Sequence, residues 1–599
     1  MDYKSRKDIP SEFKWRLTDI YPDEASWEAA LDLVQADAEK MTGYQGKLGE
    51  SRETLRCGLR LLEQLEKQLE RVYMYAKLNM DVDNSDSKYQ AMHDRILGIL
   101  FKIQEAISFI TPELTAMEPD ILREWVYSDN LLTDFRHMID DIIRSRAHVL
   151  SAREERLMAM VAPALESLDG AYSMLESVDL KLGEITDEKG EKVALTHGLF
   201  GKLRDSRDRR VRSDAFATLH GAFEGMGNTI ASLYAGSVRS DVFGTLARGF
   251  ESSLDRALFS DNLSRSIYTG LIDAVHSRLP AYHRYLELRR RILGVDKLHI
   301  YDTYLPIVDM PEREYTYEQA CDIVRQNLAP LGEQYLGDLD RLLEGGWVDV
   351  YETPGKATGA YATGVYGVHP YMLLNFVSNL NDVFTLAHEA GHCMHTFYSD
   401  KQPYMNKDYP IFLAEIASTV NENILMRGMI DRCDVSTAQG RREKAYLINR
   451  FLEEYKGTVF RQTMFAEFEL KVHEMAERGE PLTGETLCGV YQELLCVYFG
   501  PDVEIDDYMR WEWARIPHFY RAFYVYKYAT GFSAAAAISR GLSKEGNVKR
   551  YLDFLSAGGS DYPAETLKRA GIDLTVPTPV NEALDEFESL LGEFEGLLK

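Results

Sequence analysis

Apolar residues recur at spacings of three and four along most of the first half of this chain, and few structures accommodate that rhythm. DEASWEAALDLVQADAEKM (23–41) puts Trp27, Ala30, Leu31 and Val34 on one stripe. RETLRCGLRLLEQLEKQLERVYMYAKL (52–78) does the same with Leu55, Leu59, Leu62, Leu65 and Leu69. Such spacing marks amphipathic α-helices. The pattern continues through 87–118, 131–150 and 152–178, and resumes over 201–295 and 316–344. Proline and glycine are sparse inside these runs, as long helices require.

Two segments interrupt the rhythm. LKLGEITDEKGEKVALTHG (180–198) holds two short alternating runs around Glu188-Lys189-Gly190-Glu191 and predicts an exposed β-hairpin. It places a boundary near residue 200, with a helical domain over 1–199 and a second domain over 200–599. WVDVYETPGKATGAYATGVYGVHPYMLLNFVSN (347–379) is rich in Gly, Tyr, Val and Thr and predicts short strands, one of them over 371–377.

Charge and cysteine content narrow the setting. Asp and Glu number 95 against 68 Lys and Arg, a net charge of -27 among 599 residues. That surface repels phosphate backbones and anionic lipid, so neither nucleic acid nor membrane is expected as a partner. No apolar run reaches the roughly 18 residues needed to span a bilayer; GFSAAAAIS (531–539) is too short. The first residues lack the apolar core of a signal peptide. The six cysteines form no CxxC pair. A cytoplasmic protein with reduced thiols is expected.

The chemistry concentrates in FTLAHEAGHCMHTFYS (384–399). His388 and His392 are four residues apart, so on a helix their imidazoles stack on one face and can share a metal ion. Glu389 is rotated away from that face. Its carboxylate lies beside the metal as a candidate general base, the zinc-protease arrangement. Leu380, Val383, Phe384, Ala387 and Cys393 make the segment apolar enough to be buried, where histidines need partners. A catalytic site needs a third ligand and an open position. FLAEIASTVNENILM (412–426) supplies Glu415 and Glu422, nearly two turns apart on one face of an apolar helix. Glu415 is the expected third ligand, and Glu422 the expected partner that orients a ligand imidazole. His395 supports the site, contacts substrate, or is a core histidine with a backbone partner. Cys393 points elsewhere and is read as inert.

A second constellation, RWEWARIPHFYRAFYVYKYATGFS (510–533), carries His518, Tyr520, Tyr524, Tyr526 and Tyr528. Read as a helix, it places Tyr520, Tyr524 and Tyr528 on one stripe. This is either an aromatic core stripe or a set of donors for a developing oxyanion, with His518 and a tyrosine as the candidates.

HEAGH at 388–392 followed by FLAEIASTVNE at 412–422 resembles the M3 family of zinc metallopeptidases. IPSEFKWRLTDIYP (9–22), PHFYRAFYVYKYATG (517–531) and FLSAGGSDYPAETLKRAGIDLTVPTP (554–579) resemble its oligoendopeptidase F branch in particular. The resemblance spans nearly the whole chain. It implies a mostly α fold of two helical lobes flanking a deep substrate channel, with a small sheet beside the metal helix. It implies one Zn2+ per chain held by His388, His392 and Glu415, with Glu389 activating water. It implies that His518 and tyrosines of the C-terminal stretch, here Tyr524 and Tyr528, bind substrate and stabilise the transition state. The substrates it implies are short unstructured peptides, cut at internal bonds. Edge strands bind peptides by main-chain pairing, so Gly359-Ala360-Tyr361 or Tyr371-Met372-Leu373 is expected to hold the substrate backbone, with Tyr520 as a further contact. Two other readings are an idle peptide-binding protein with structural zinc and an exopeptidase on the same scaffold. Structural zinc is usually closed by four protein ligands, whereas three candidates and a spare glutamate are present here.

Overall fold

The computed structural model describes residues 3–309 and 313–598. The protein is mostly helical, with three small sheets among the described residues. The chain divides into two compact units. The first comprises Met1–Ala147, Glu312–Gly428 and Ile538–Ile572; the second comprises His148–Pro311, Met429–Ala537 and Asp573–Lys599.

The first unit begins with the helices that the leucine spacing predicts. Glu24–Thr42 starts at Asp23, whose side chain accepts the Ser26 N–H, and Arg52–Asp81 starts at Ser51, which caps Thr54 in the same way. Their stripes (Trp27, Leu31 and Val34; Leu55, Leu59, Leu62 and Leu65) are buried. Leu69 and Ala30 only rest against this core. Trp27 Nε1 donates to the Val72 carbonyl at 2.9 Å, so the ring is satisfied as well as buried.

Three expected helices are broken. The run 87–118 is Ser87–Ile107 followed by Ile110–Ala116. Most of 131–150 is a 3-10 turn, Asn130–Phe135, followed by the helix Arg136–Ser145. The run 316–344 pauses at Ala329–Leu331, where Pro330 has no N–H to give.

The Gly- and Tyr-rich segment forms β4 (Val348–Tyr351), β5 (Tyr361–Thr363) and β6 (Tyr371–Phe376), after β1 (Glu184–Thr186), β2 (Lys192–Ala194) and β3 (Leu298–His299) earlier in the chain. β6 is central, parallel to β4 and antiparallel to β5. Tyr371 and Leu373 belong to the same core as the leucine helices.

In the second unit β1 and β2 form the expected hairpin, with Ile185 opposite Val193. Gly190 takes a φ of +84° at its turn. β3 pairs in parallel with β7 (Val503–Glu504). The helix Ala152–Met174 is unusual in burying only Tyr172. No helix among the described residues is long and apolar enough to cross a membrane.

Candidate metal centre and the His518 cluster

The helix Leu380–Ser399 carries HEAGH. Asn379 and Asp382 form a capping box at its start, and Val383, Phe384, Leu386, Ala387, Ala390, Cys393 and Met394 are buried. The helix Ile411–Asp431 crosses it at Gly391. A β-carbon there would lie 2.5 Å from Ser418 Cα and 2.7 Å from the Ala417 carbonyl, so only glycine allows the two backbones this close. Asn421, fully buried, ties the helices together: its Nδ2 donates to the Ala387 carbonyl at 3.1 Å, and Tyr335 donates to its Oδ1 at 3.0 Å.

This crossing sets His388, His392 and Glu415 around one point. His388 Nε2 and His392 Nε2 are 3.2 Å apart, and Glu415 Oε2 lies 3.5 Å from the first and 3.4 Å from the second. These three form the metal-capable group found among the described residues. Ser418 Oγ donates to Glu415 Oε2 at 3.1 Å, which fixes the carboxylate. Glu422 Oε2 approaches the other nitrogen of His388, Nδ1, at 3.3 Å. That contact leaves Nε2 for a metal.

The charges respond to these positions. Burial opposes protonation of His388, but the hydrogen bond and charge of Glu422, with the charges of Glu389 and Glu415, outweigh it and push its pKa up to about 9. The His392 hydrogen bond holds the Glu415 carboxyl down to about 2 despite partial burial. Glu389 is buried, and burial pushes its pKa up against the charges of His388 and His392. A carboxylate raised in this way is a better proton acceptor than an exposed one.

His395 does not support this site. It is buried, lies flat on Tyr409 with ring centroids 3.6 Å apart, and has no hydrogen-bond partner among the described residues on either ring nitrogen. Burial pushes its pKa down to about 3. It is a core ring, and the backbone partner expected for it is absent too.

The strand expectation separates into two outcomes. β6 is paired on both sides, so Tyr371-Met372-Leu373 cannot accept a peptide strand. Among the described residues β5 is an edge strand, paired with β6 on one side only. Gly359 and Ala360, just before it, line a groove with Asn375, Asp382 and Thr385. The Tyr361 hydroxyl is engaged by Asp81, so Tyr361 can offer a peptide its main chain only.

Within the second unit, residues 510–533 are not one helix. A 3-10 turn covers Pro517–Tyr520, Phe523 takes a φ of 56°, and the α-helix starts only at Tyr526. The predicted tyrosine stripe therefore does not exist as a stripe. His518, Tyr524 and Tyr528 nevertheless converge. Tyr528 Oη is 3.4 Å from His518 Nε2, and the Tyr524 and Tyr528 rings meet edge to face at 5.5 Å. Burial, followed by the charge of Arg521, pushes the His518 pKa down. Tyr520 leaves this group. It stacks on Tyr172 at 4.4 Å and lines a groove with Met158, Leu165, Phe243, Glu166 and Asp169.

Sequence reasoning missed Gly391, Ser418 and Asn421. Gly391 carried a signal: a glycine inside an otherwise strong helix has a packing reason more often than not.

Comparison with known proteins decides the lineage. The sequence profile described as Peptidase family M3 matches residues 202–586. The chain belongs to peptidase family M3. A second profile, Oligopeptidase F, matches residues 113–181. Oligopeptidase PepF of Bacillus subtilis is 40% identical over 596 residues, covering 99% of this chain and 88% of that protein. An oligoendopeptidase F homolog of Lactococcus lactis is 35% identical over 600 residues, covering 100% and 99%. Among solved structures, a Chlamydophila abortus protein aligns with a TM-score of 0.94 at 34% identity, covering 99% of this chain and 100% of that one. The oligoendopeptidase-F of Enterococcus faecium aligns at 0.73 and 34% identity, covering 95% and 98%. This M3 chain is thus a metallo-oligopeptidase, and the two helices crossing at Gly391 carry its metal-capable group.

Proposed function

We propose that this chain is a zinc-dependent endopeptidase of the cytoplasm, cutting internal bonds of short unstructured peptides. The observation that carries the metal assignment is the donor triangle. Four ligands at the 2.0–2.1 Å of zinc–nitrogen bonds in a tetrahedron lie about 3.3 Å from one another. The separations of 3.2, 3.4 and 3.5 Å among His388, His392 and Glu415 match that edge. Three donors also leave one position open for reactants. Bound there, zinc supplies Lewis-acid polarisation of a carbonyl and acidifies water.

The residues divide the remaining work. Glu422 holds the His388 ring through Nδ1. Glu389 takes the proton of the attacking water on its carboxylate and returns it to the leaving amine. His518 and Tyr528 donate to the carbonyl oxygen as charge builds on it, with Tyr524 packed against them. The edge of β5, with Gly359, Ala360 and Tyr361, pairs with the peptide main chain, and Tyr520 meets substrate side chains along its groove. Residues 200–599 are taken as the catalytic domain, preceded by the helical 1–199. Family membership and the six free cysteines support the enzymatic and cytoplasmic parts of this reading.

The test is metal content by mass spectrometry together with cleavage of a quenched nine-residue peptide. About one zinc per chain is expected, with loss of activity on chelation and recovery on adding zinc. Full cleavage by protein stripped of metal would refute the proposal.

A further inference from the structure

One buried carboxylate outside this machinery lies against the segment that carries His518 and Tyr528. Glu469, on the helix Arg461–Glu477, is fully buried. Its Oε1 accepts the Phe523 N–H at 3.0 Å, and its Oε2 has no hydrogen-bond partner among the described residues. Phe523 holds the left-handed backbone conformation that residues with a β-carbon rarely adopt. Its ring is wedged between His473 and Tyr268, at 4.5 and 5.7 Å. His473 is itself bound to the Glu469 backbone carbonyl through Nδ1. A buried N–H must find an acceptor, and here a side chain from another helix provides it.

The turn at Phe523 has a measurable consequence. Ten residues of continuous helix would separate His518 from Tyr528 by about 15 Å along the axis. The observed approach is 3.4 Å. The chain reverses at Phe523, between the 3-10 turn Pro517–Tyr520 and the helix Tyr526–Gly541, and that reversal brings the imidazole to the phenol.

We propose that Glu469 is a positioning residue whose buried carboxyl fixes Phe523 in the left-handed turn and so holds His518 against Tyr524 and Tyr528. This inference rests on the proposed role of His518 and Tyr528 in turnover. Burial, opposed by the Phe523 N–H and reinforced by the charge of Asp241, pushes the Glu469 pKa well above the usual carboxylate range. Glutamine, which is neutral and keeps an Oε1 acceptor, is therefore its nearest substitute.

The experiment compares E469Q, E469L, E469D, H518A and the double variant E469L/H518A as full-length, zinc-loaded chains. It reads kcat and KM on one peptide, zinc content, and deuterium exchange over residues 517–528. E469Q should stay within about threefold of the parent. E469L should lower kcat by roughly tenfold or more with KM and zinc content within about twofold, because the lost donors matter mainly as charge develops. E469D, too short to reach the Phe523 N–H, should behave likewise and carries the test if E469L does not fold. Exchange over 517–528 should rise in both. The double variant should be no slower than the slower single variant, since both remove one function. The proposal is overturned if E469L and E469D keep kcat within about threefold, if E469Q is as slow as E469L, or if the losses multiply. Should H518A retain full kcat, the reading of His518 fails instead, and exchange over 517–528 still decides whether Glu469 holds the turn.

Discussion

Glu389 and Glu415 share a functional group and meet opposite surroundings. Glu389 is buried and its pKa is raised; Glu415 is half exposed and is held near 2 by His392. The same substitution should therefore produce different losses. Glu389→Gln keeps shape but cannot take a proton, so it should retain the metal while kcat falls by about 10²–10⁴-fold. Glu415→Gln weakens the ligand set, so metal affinity should fall first, and added zinc should partly restore activity. Metal content and steady-state kinetics on one peptide separate the two; a Glu389→Gln protein that loses zinc would reverse the assignment. The convergence of His388, His392, Glu415 and Glu422 was legible in the sequence because the spacing of four residues within one helix, and of seven between Glu415 and Glu422, fixes faces locally. His395 was not legible. Its ring partners are Tyr409, in the loop after its own helix, and Phe554, from a remote part of the chain.

The metal group depends on how closely two helices cross, and Gly391 sets that distance. In an ordinary helix interior, alanine for glycine gains about 1 kcal/mol. At this crossing the added carbon would meet Ser418 Cα at 2.5 Å and the Ala417 carbonyl at 2.7 Å. Neither backbone atom can move alone, and overpacking of this kind costs about 1–3 kcal/mol. Gly391→Ala should therefore lower the melting temperature and weaken zinc binding more than roughly tenfold, because the helix carrying Glu415 is pushed from the histidines. Calorimetry and zinc titration check this; a variant more stable than the parent, with unchanged zinc affinity, would show that the crossing is not tight. Elements with strong periodicity, such as Arg52–Asp81, were readable from sequence because one buried stripe decides them. The segment 510–533 was not. Its aromatic spacing mimics a helix, while Phe523 reverses the chain under the hold of a residue 54 positions earlier.

Across the whole chain, the order of residues and the order of packing part company. The sequence pattern puts a boundary near residue 200, just after the hairpin β1–β2. Yet the unit containing the metal helix also includes Met1–Ala147. The contacts within that unit are specific. Arg6 and the buried Lys356 both pair with the buried Asp349 of β4, and His369 pairs with Asp19. The Ala357 N–H donates to the Asp81 carbonyl, and the Asn84 N–H to the Gly355 carbonyl. Tyr371 and Leu373 of β6 share one core with Leu55, Leu59 and Leu65. Without residues 1–147, β6 would expose that face, and Asp349 would lose one of its two cations, a costly state for a buried carboxylate. The sheet packs on the metal helix: a β-carbon at Gly364, just past β5, would lie 2.4 Å from Thr396 Cγ2. A fragment of residues 200–599, the piece that the sequence boundary recommends, should therefore expose apolar surface, melt without a sharp transition and fail to hold zinc. Supplying residues 1–199 in trans should restore a cooperative melt and metal binding together, since the fragment brings back a core face and the Arg6 pairing at once. Scanning calorimetry and zinc titration of the fragment, alone and with its complement, decide the matter. A fragment 200–599 that alone melts cooperatively and binds one zinc would mean that residues 1–147 only cover the catalytic part and do not help build it.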